Sequence, residues 1–564
     1  MKIRNYKSSI KLLTISWLCI FLITSCAQNK KAGGTSDQAW KQVAGILEKI
    51  QPPVFPDREF DITAYGAPDD GKRDAKSALD SAIQACSKAG GGKVIVPAGT
   101  YKINGPIHLQ SNINLHLEEG SRLLFGVEPE DYLPPVLVRW EGTRCYNYSP
   151  LIYAYQEKNI AITGKGVIDG QTEKFWYLWK LIHDRDKQIL RQMGKNLKPV
   201  EDRVFGKGHY LRPTLIEPYE CENVLIQGVT VKSSPFWTIH PVLCTNVTIR
   251  NVRVKKGKSN DDGCNPESCK NVLIENCTFS SNDDNIAIKA GRDNDAWVKN
   301  GGRPSENIII RNNEFGGTRG GAITIGSEMS GGVRNIFAED NIVGNVKRAY
   351  YIKSNTDRGG SVKDIYYRDT QIENCRGAVI RVLLGYKGAT AGEYPADFDG
   401  FYFENISCGR AETGFKLTGL PEKSIRNILL RDIRIERVEK DMDIYFAENI
   451  DFRNVKIDTF RTAQADIEAL RDSHEESPDR LTWEDLPGAV QNSFLDVFSE
   501  IVNSKNQVSR KARQNVINVF NKDPMLNAIG TETRDDQRIY RLHKSFGSEH
   551  IRVVVREDGR ILAK

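Results

Sequence analysis

The strongest pattern along the chain is a two-part alternation of apolar and polar positions that keeps returning. It reads KNIAITGKGVIDG from Lys158, ENVLIQGVTVKSS from Glu222, TNVTIRNVRVKKG from Thr245, KNVLIENCTFSS from Lys270 and ENIIIRNNEFGG from Glu306. It continues as RNIFAEDNIVGN from Arg334, KDIYYRDTQIENC from Lys363, RNILLRDIRIERV from Arg426 and ENIDFRNVKIDTF from Glu448. Each unit has two short β-branched or aromatic runs of period two, separated by Asn, Gly or Asp, so each predicts two strands and a bend. Such strands bury an inward face only when units stack, while loops of any length leave from the bends. The expected fold class is all-β: a right-handed parallel β-helix over residues 57–462.

Upstream, Ala78, Leu79, Ala82, Ile83 and Cys86 share one face of a helix, followed by a strand at Lys93–Val96. The open end of a solenoid needs a cap, and this helix supplies it. After Thr462 the repeat stops. LPGAVQNSFLDVFSEIV predicts an amphipathic helix, IYRLHKSF and HIRVVVREDGRIL predict strands, and the second turns at Asp558–Gly559. Residues 463–564 are therefore expected to form a separate small α+β module, faintly similar in pattern to PepSY-like domains.

The N-terminus changes the expected location. MKIRNYKSSIK precedes the apolar run LLTISWLCIFLIT, which is too short to span a bilayer, and residues 1–25 read as a signal peptide. Ile23, Thr24, Ser25 and Cys26 resemble a bacterial lipobox, implying cleavage before Cys26 and lipidation of its thiol. Residues 26–56 then give a flexible tether and a helix. An exported periplasmic or outer-membrane lipoprotein is expected, attached to the membrane only through its lipid, and monomeric.

Composition narrows the chemistry. The 564 residues are 39% hydrophobic and 27% charged, with a formal net charge of +6 spread thinly along the chain. No basic block suggests nucleic acid. Eleven cysteines include no zinc-type spacing, so no metal site and no cofactor is expected, and one or two disulfides stay open.

The tetrapeptide SNDD occurs at Ser259–Asp262 and again at Ser281–Asp284, an interval of 22 residues. One coil of about this length places Asp262 beside Asp284 and Asp261 beside Asp283, roughly 4.8 Å apart along the axis. Carboxylates so close raise one another's pKa, the condition for general acid work.

RPTLIEPYECENVLIQGVTVKSSPFWTIHP, SNDDGCNP, SNDDNIAIKAGRD, TIGSEMSGGVRN and YIKSNTDRGG, in this order, resemble glycoside hydrolase family 28, the polygalacturonases and rhamnogalacturonan hydrolases. The resemblance runs from about Phe60 to about Thr459. It implies inverting, cofactor-free hydrolysis of galacturonic-acid-containing bonds in pectin, with endo or exo action open. It implies Asp283 as general acid, with Asp262 and Asp284 activating water, the two sides standing about 6.5–9.5 Å apart.

Two departures stand out. The family's Gly-His-Gly is replaced around Gly320 and Gly321, with no histidine nearby, and its Arg-Ile-Lys clamp becomes Tyr351, Ile352, Lys353. These shift the expectation toward another pectic linkage, such as one in rhamnogalacturonan. Strand alternation turns Arg348 away from Tyr351. Lys353 and Tyr351, with Lys289 and Arg292, are the expected substrate-binding residues. Phe175, Trp176, Tyr177 and Trp179 either stack on sugar or pack their own insertion. Glu328 either faces the cleft or shapes a turn, Tyr386 and Tyr394 are candidates for one wall, and His240 reads as a packed structural residue. A calcium-dependent pectate-type lyase and a non-catalytic β-helical binding protein are the alternatives.

Overall fold

A computed structural model describes residues 33–459 and, apart from 485, 506, 523, 525, 527, 535–536 and 547–548, residues 483–563. The signal peptide and Cys26 lie outside the described residues. The body is one parallel sheet of 25 strands wound into coils, the predicted β-helix.

Its register shows why the repeated phrase exists. Val224, Val247, Val272, Ile308, Ile336, Ile365, Phe401, Ile428 and Ile450 occupy one inward position on successive coils. All but the last are buried in the axial core. The asparagine before each apolar run has an equally specific job. Asn159, Asn223, Asn246, Asn271, Asn307 and Asn335 hold φ between 53° and 58°, a left-handed bend that Asn tolerates and β-branched residues do not. Each side-chain amide donates to the carbonyl oxygen of the asparagine one coil earlier, at 3.0–3.2 Å. This polar ladder stacks the bends while the apolar ladder stacks the interior.

Helix α1 (Gly33–Trp40) and helix α2 (Gln42–Leu47) cover part of the outer sheet face. Trp40 packs edge-on against Phe337 at 5.2 Å and lies under the Arg368 guanidinium at 3.8 Å. Ser36 donates to Glu404 at 2.8 Å, and Arg431 reaches Asp37 at 3.1 Å. Within the expected tether-and-helix segment the helix thus begins at Gly33, because buried partners on the sheet offset the entropy of ordering it. Helix α3 (Lys76–Lys88) buries the five expected residues against the first coils. All nine cysteines from Cys86 to Cys408 are buried and unpaired.

Between strands Val167–Asp169 and Ile216–Tyr219 runs a long insertion with a helical turn, Trp176–Leu181, and helix α4 (Asp184–Lys195). Phe175, Trp176 and Trp179 are buried within it, so these rings pack the insertion. The C-terminal module contains helix α5 (Gly488–Asn503), helix α6 (Arg510–Lys522) and a four-stranded antiparallel sheet. Helix α6 and the strand Ala528–Arg534 were not foreseen.

Candidate active site

The two SNDD copies stand on adjacent coils. Cys264 pairs with Ile286, and the Gly263 amide donates to the Asp284 carbonyl at 3.0 Å. The aspartates then diverge in role. Asp261 accepts from the amides of Gly257 (2.6 Å), Asn282 (3.0 Å) and Asp283 (3.1 Å), so it fastens one copy to the next. Asp262, Asp283 and Asp284 line a cavity of about 190 Å³.

Each of the three has its own electrostatic setting. Burial, then the Asp283 charge, pushes Asp262 well above the ordinary carboxylate range; Asn265 donates to it at 2.8 Å and the Lys289 ammonium stands 3.8 Å away. Burial, then the Asp284 charge, also raises Asp283, which accepts from the Asp284 amide at 3.0 Å. Burial would raise Asp284 too, but Lys353 and Lys289 outweigh it and hold this carboxyl low. It accepts from Lys353 (2.8 Å), the Thr324 hydroxyl (2.8 Å) and the Gly321 amide (2.7 Å). The site thus joins one carboxylate held low to two that are pushed up, an arrangement suited to acid–base catalysis.

The same packing accounts for the missing histidine. A Cβ on Gly320 would stand 2.7 Å from the Asp284 amide nitrogen and closer still to its carboxylate; one on Gly321 would stand 2.5 Å from the Thr324 hydroxyl. No side chain enters at either position without displacing Asp284 itself or the Thr324 hydroxyl that holds it.

Lys353, Lys289 and Arg292 line the cavity, and each already faces a protein carboxylate. Lys353 pairs with Asp284; Lys289 and Arg292 pair with Glu328 at 3.1 and 3.2 Å. Glu328 therefore faces the cleft and also gathers cations, with Arg358 3.7 Å away. Tyr351 does not line the cavity among the described residues, whereas Tyr386 does. The Tyr351 ring instead lies beneath the Lys353 ammonium at 4.6 Å, with Tyr386 6.4 Å away. The ring therefore backs the lysine. Arg348 departs from expectation, placing its guanidinium 4.4 Å from that ring. Alternation fixes the Cβ direction, but a long side chain at the first position of a strand curls past it. Tyr394 packs on Trp297 at 4.6 Å, away from the cavity. His240 is fully buried between Glu267 (2.8 Å) and Glu217 (3.4 Å).

Sequence reasoning missed Glu141, Arg191, Trp237, Arg358 and Lys387, all of which line the cavity. Trp237 sits inside the quoted FWTIHP, and its ring lies 4.7 Å from the Lys289 ammonium. Lys387 follows the noted Tyr386. Glu141 and Arg191 pair at 2.5 Å across an interval of 50 residues and carried no signal.

The sequence profile of glycosyl hydrolases family 28 matches residues 205–445. The solved exopolygalacturonase of Thermotoga maritima is 41% identical, covering 74% of this chain and 96% of its own, with a TM-score of 0.70. The chain belongs to glycosyl hydrolases family 28. Residues 60–116 of this family 28 enzyme also match a profile described as rhamnogalacturonase A/epimerase, pectate lyase-like. A Vitis vinifera protein named "Probable polygalacturonase" is 29% identical over 67% of the chain and 74% of its own length. The exo-poly-alpha-D-galacturonosidase of Dickeya chrysanthemi is 27% identical over 62% of each. As a member of this family, the protein is a glycoside hydrolase.

Proposed function

We propose that this enzyme is an inverting hydrolase of pectic chains that releases galacturonic acid from an end. The observation that carries this reading is the charge of the cavity. Its lining contains the carboxylates Glu141, Asp262, Asp283, Asp284 and Glu328 against the cations Arg191, Lys289, Arg292, Lys353, Arg358 and Lys387. These are six cations against five carboxylates, and Asp262 and Asp283 are both raised, so the balance is positive. Five of the cations face a protein carboxylate. Among the described residues, Lys387 has no ion-pair partner, and its turn holds it at φ 58° on the cavity rim. A uronate carboxylate complements this excess; a neutral sugar does not. The named activities of the Thermotoga and Dickeya relatives support galacturonan and exo attack.

In the proposed reaction Asp283 protonates the leaving glycosidic oxygen. Asp284, kept ionised by Lys353, and Asp262, ionised against Lys289 when the shared proton sits on Asp283, hold water on the opposite face. As the bond breaks, that water loses its proton to this pair. The lyase alternative needs a cation among the aspartates, but the Lys289 and Lys353 ammonium groups already stand there. Among the described residues no group of three or more His, Cys, Asp or Glu side chains is placed to hold a metal.

Products of defined oligogalacturonides, analysed by mass in buffer and in EDTA, test the reading. Stepwise loss of one saturated galacturonate, unaffected by chelation, is expected. Unsaturated products dependent on calcium would establish the lyase, and the absence of any cleavage would favour the binding protein.

The reading extends to the whole chain as an exported lipoprotein anchored at Cys26, with a catalytic unit over 57–462 and a module over 463–564. Among the described residues no helix is long and apolar enough to cross a membrane. Replacing Cys26 with serine should release the protein from membranes in fractionated cells.

A further inference from the structure

The family 28 match ends at residue 445, yet the module beyond it is fastened to a wall of the catalytic cavity. Helix α6 packs on the helical turn Trp176–Leu181 of the insertion. Lys544, only 2% exposed, reaches the Asp184 carboxylate at 2.9 Å. Burial of a lysine is costly unless its charge is met, so this pair specifies where the module docks. In the same helical turn, the Tyr177 ring has the Lys258 ammonium at 5.7 Å and the Lys505 ammonium at 5.9 Å. Lys258 belongs to the loop that carries the first SNDD copy, so the module, the insertion and the catalytic loop meet at one seam.

Asp184 is the first residue of α4. There its charge also opposes the positive end of the helix dipole, and it pairs with Lys187 one turn on. Further along, α4 also reaches the cavity. Arg191, two turns along, forms the wall pair with Glu141. At the far end, the Lys195 carbonyl accepts from Asn294 at 3.0 Å, next to the turn that follows Arg292. A shift of α4 therefore moves Arg191 and loosens the support of Arg292, without touching Asp262, Asp283 or Asp284.

We propose that the C-terminal module is a clamp that makes α4 a fixed wall of the cavity, with Lys544 as the positioning residue that sets substrate length preference. The inference rests on the uronide-hydrolase reading for its substrate. The clamp holds Arg191, Glu141 and Arg292 where the end of a short uronide binds. Without it the wall yields, short substrates lose their grip, and longer chains pass.

The full-length chain is tested as wild type, Lys544→Met, Lys544→Arg, Asp184→Asn and the double variant Asp184→Asn/Lys544→Met. Steady-state kinetics on digalacturonate, product sizes from polygalacturonate and deuterium exchange of the α4 amides are measured. Lys544→Met should raise KM for digalacturonate about five- to tenfold with kcat within about twofold, release products longer than a monomer, and speed exchange across α4. Lys544→Arg should stay near wild type, and the double variant should be no worse than the worse single variant. Unchanged KM and unchanged exchange in Lys544→Met would overturn the clamp, as would a loss of kcat with KM intact. If wild type cleaves no uronide, the substrate reading fails, while faster α4 exchange in Lys544→Met still supports the clamp and unchanged exchange refutes it.

Discussion

Lys353 and Asp284, 69 positions apart in the chain, meet at 2.8 Å at the cavity. The lysine is held on a buried strand position, and its pairing keeps Asp284 ionised although burial favours the neutral acid. The residue expected to grip substrate thus already holds a neighbouring carboxylate ionised.

That relationship predicts a pH effect. In the proposed mechanism Asp284 works ionised, and because Lys353 depresses its pKa that form should persist below the ordinary carboxylate range. Replacing Lys353 with methionine removes the main opposing cation, so the Asp284 pKa rises. The acidic limb of the kcat/KM profile should move to higher pH. An acidic limb in the same place would show that Asp284 does not set it.

Asp283→Asn keeps the shape of the side chain and removes the proton required by the leaving oxygen. Turnover should fall by about 10² to 10⁴, with an unchanged circular dichroism spectrum. Retention of a tenth of wild-type activity would exclude Asp283 as the acid.

Lys387→Met removes the lining cation that has no carboxylate partner among the described residues. Loss of a hydrogen bond to a charged group costs about 1.5–3 kcal/mol, so kcat/KM for oligogalacturonides should fall by more than tenfold. The same oligosaccharides carried as methyl esters should show little change between the two proteins. Equal losses on both substrates would place the uronate carboxylate elsewhere.

Stability should carry a signature of His240. Burial disfavours its charge, but Glu217 and Glu267 outweigh burial and raise its pKa to about 9; Arg139 faces the same group, 3.4 Å from Glu267. The folded value lies above the ordinary imidazole value of about 6.5. The stabilisation is therefore fully present below about pH 6.5 and lost as pH rises through about 9, a change of about 3 kcal/mol. The wild-type Tm should fall across this window, and His240→Gln should be less stable below it and lack this component. Parallel Tm curves for the two proteins would disprove the charged state.

Some of this was written along the chain. Stacked coils require the same residue type at the same bend on every turn, so the Asn ladder, the inward Val and Ile positions and the duplicated aspartates all repeat, and repetition is visible without coordinates. The α3 face was visible for the same reason, since helical period is local. Tertiary structure decided what each copy does. Asp261 and Asp262 are neighbours, yet one is consumed by backbone amides and the other faces the cavity. Tyr351 and Lys353 share a motif, but only the packing shows the ring under the ammonium, with Tyr386 lining the cavity. Glu141 with Arg191, and Asp184 with Lys544, are pairs across 50 and 360 residues that follow no period. Such contacts arise where irregular loops and an added module fold back onto a regular scaffold, and only the packed chain determines where those loops end.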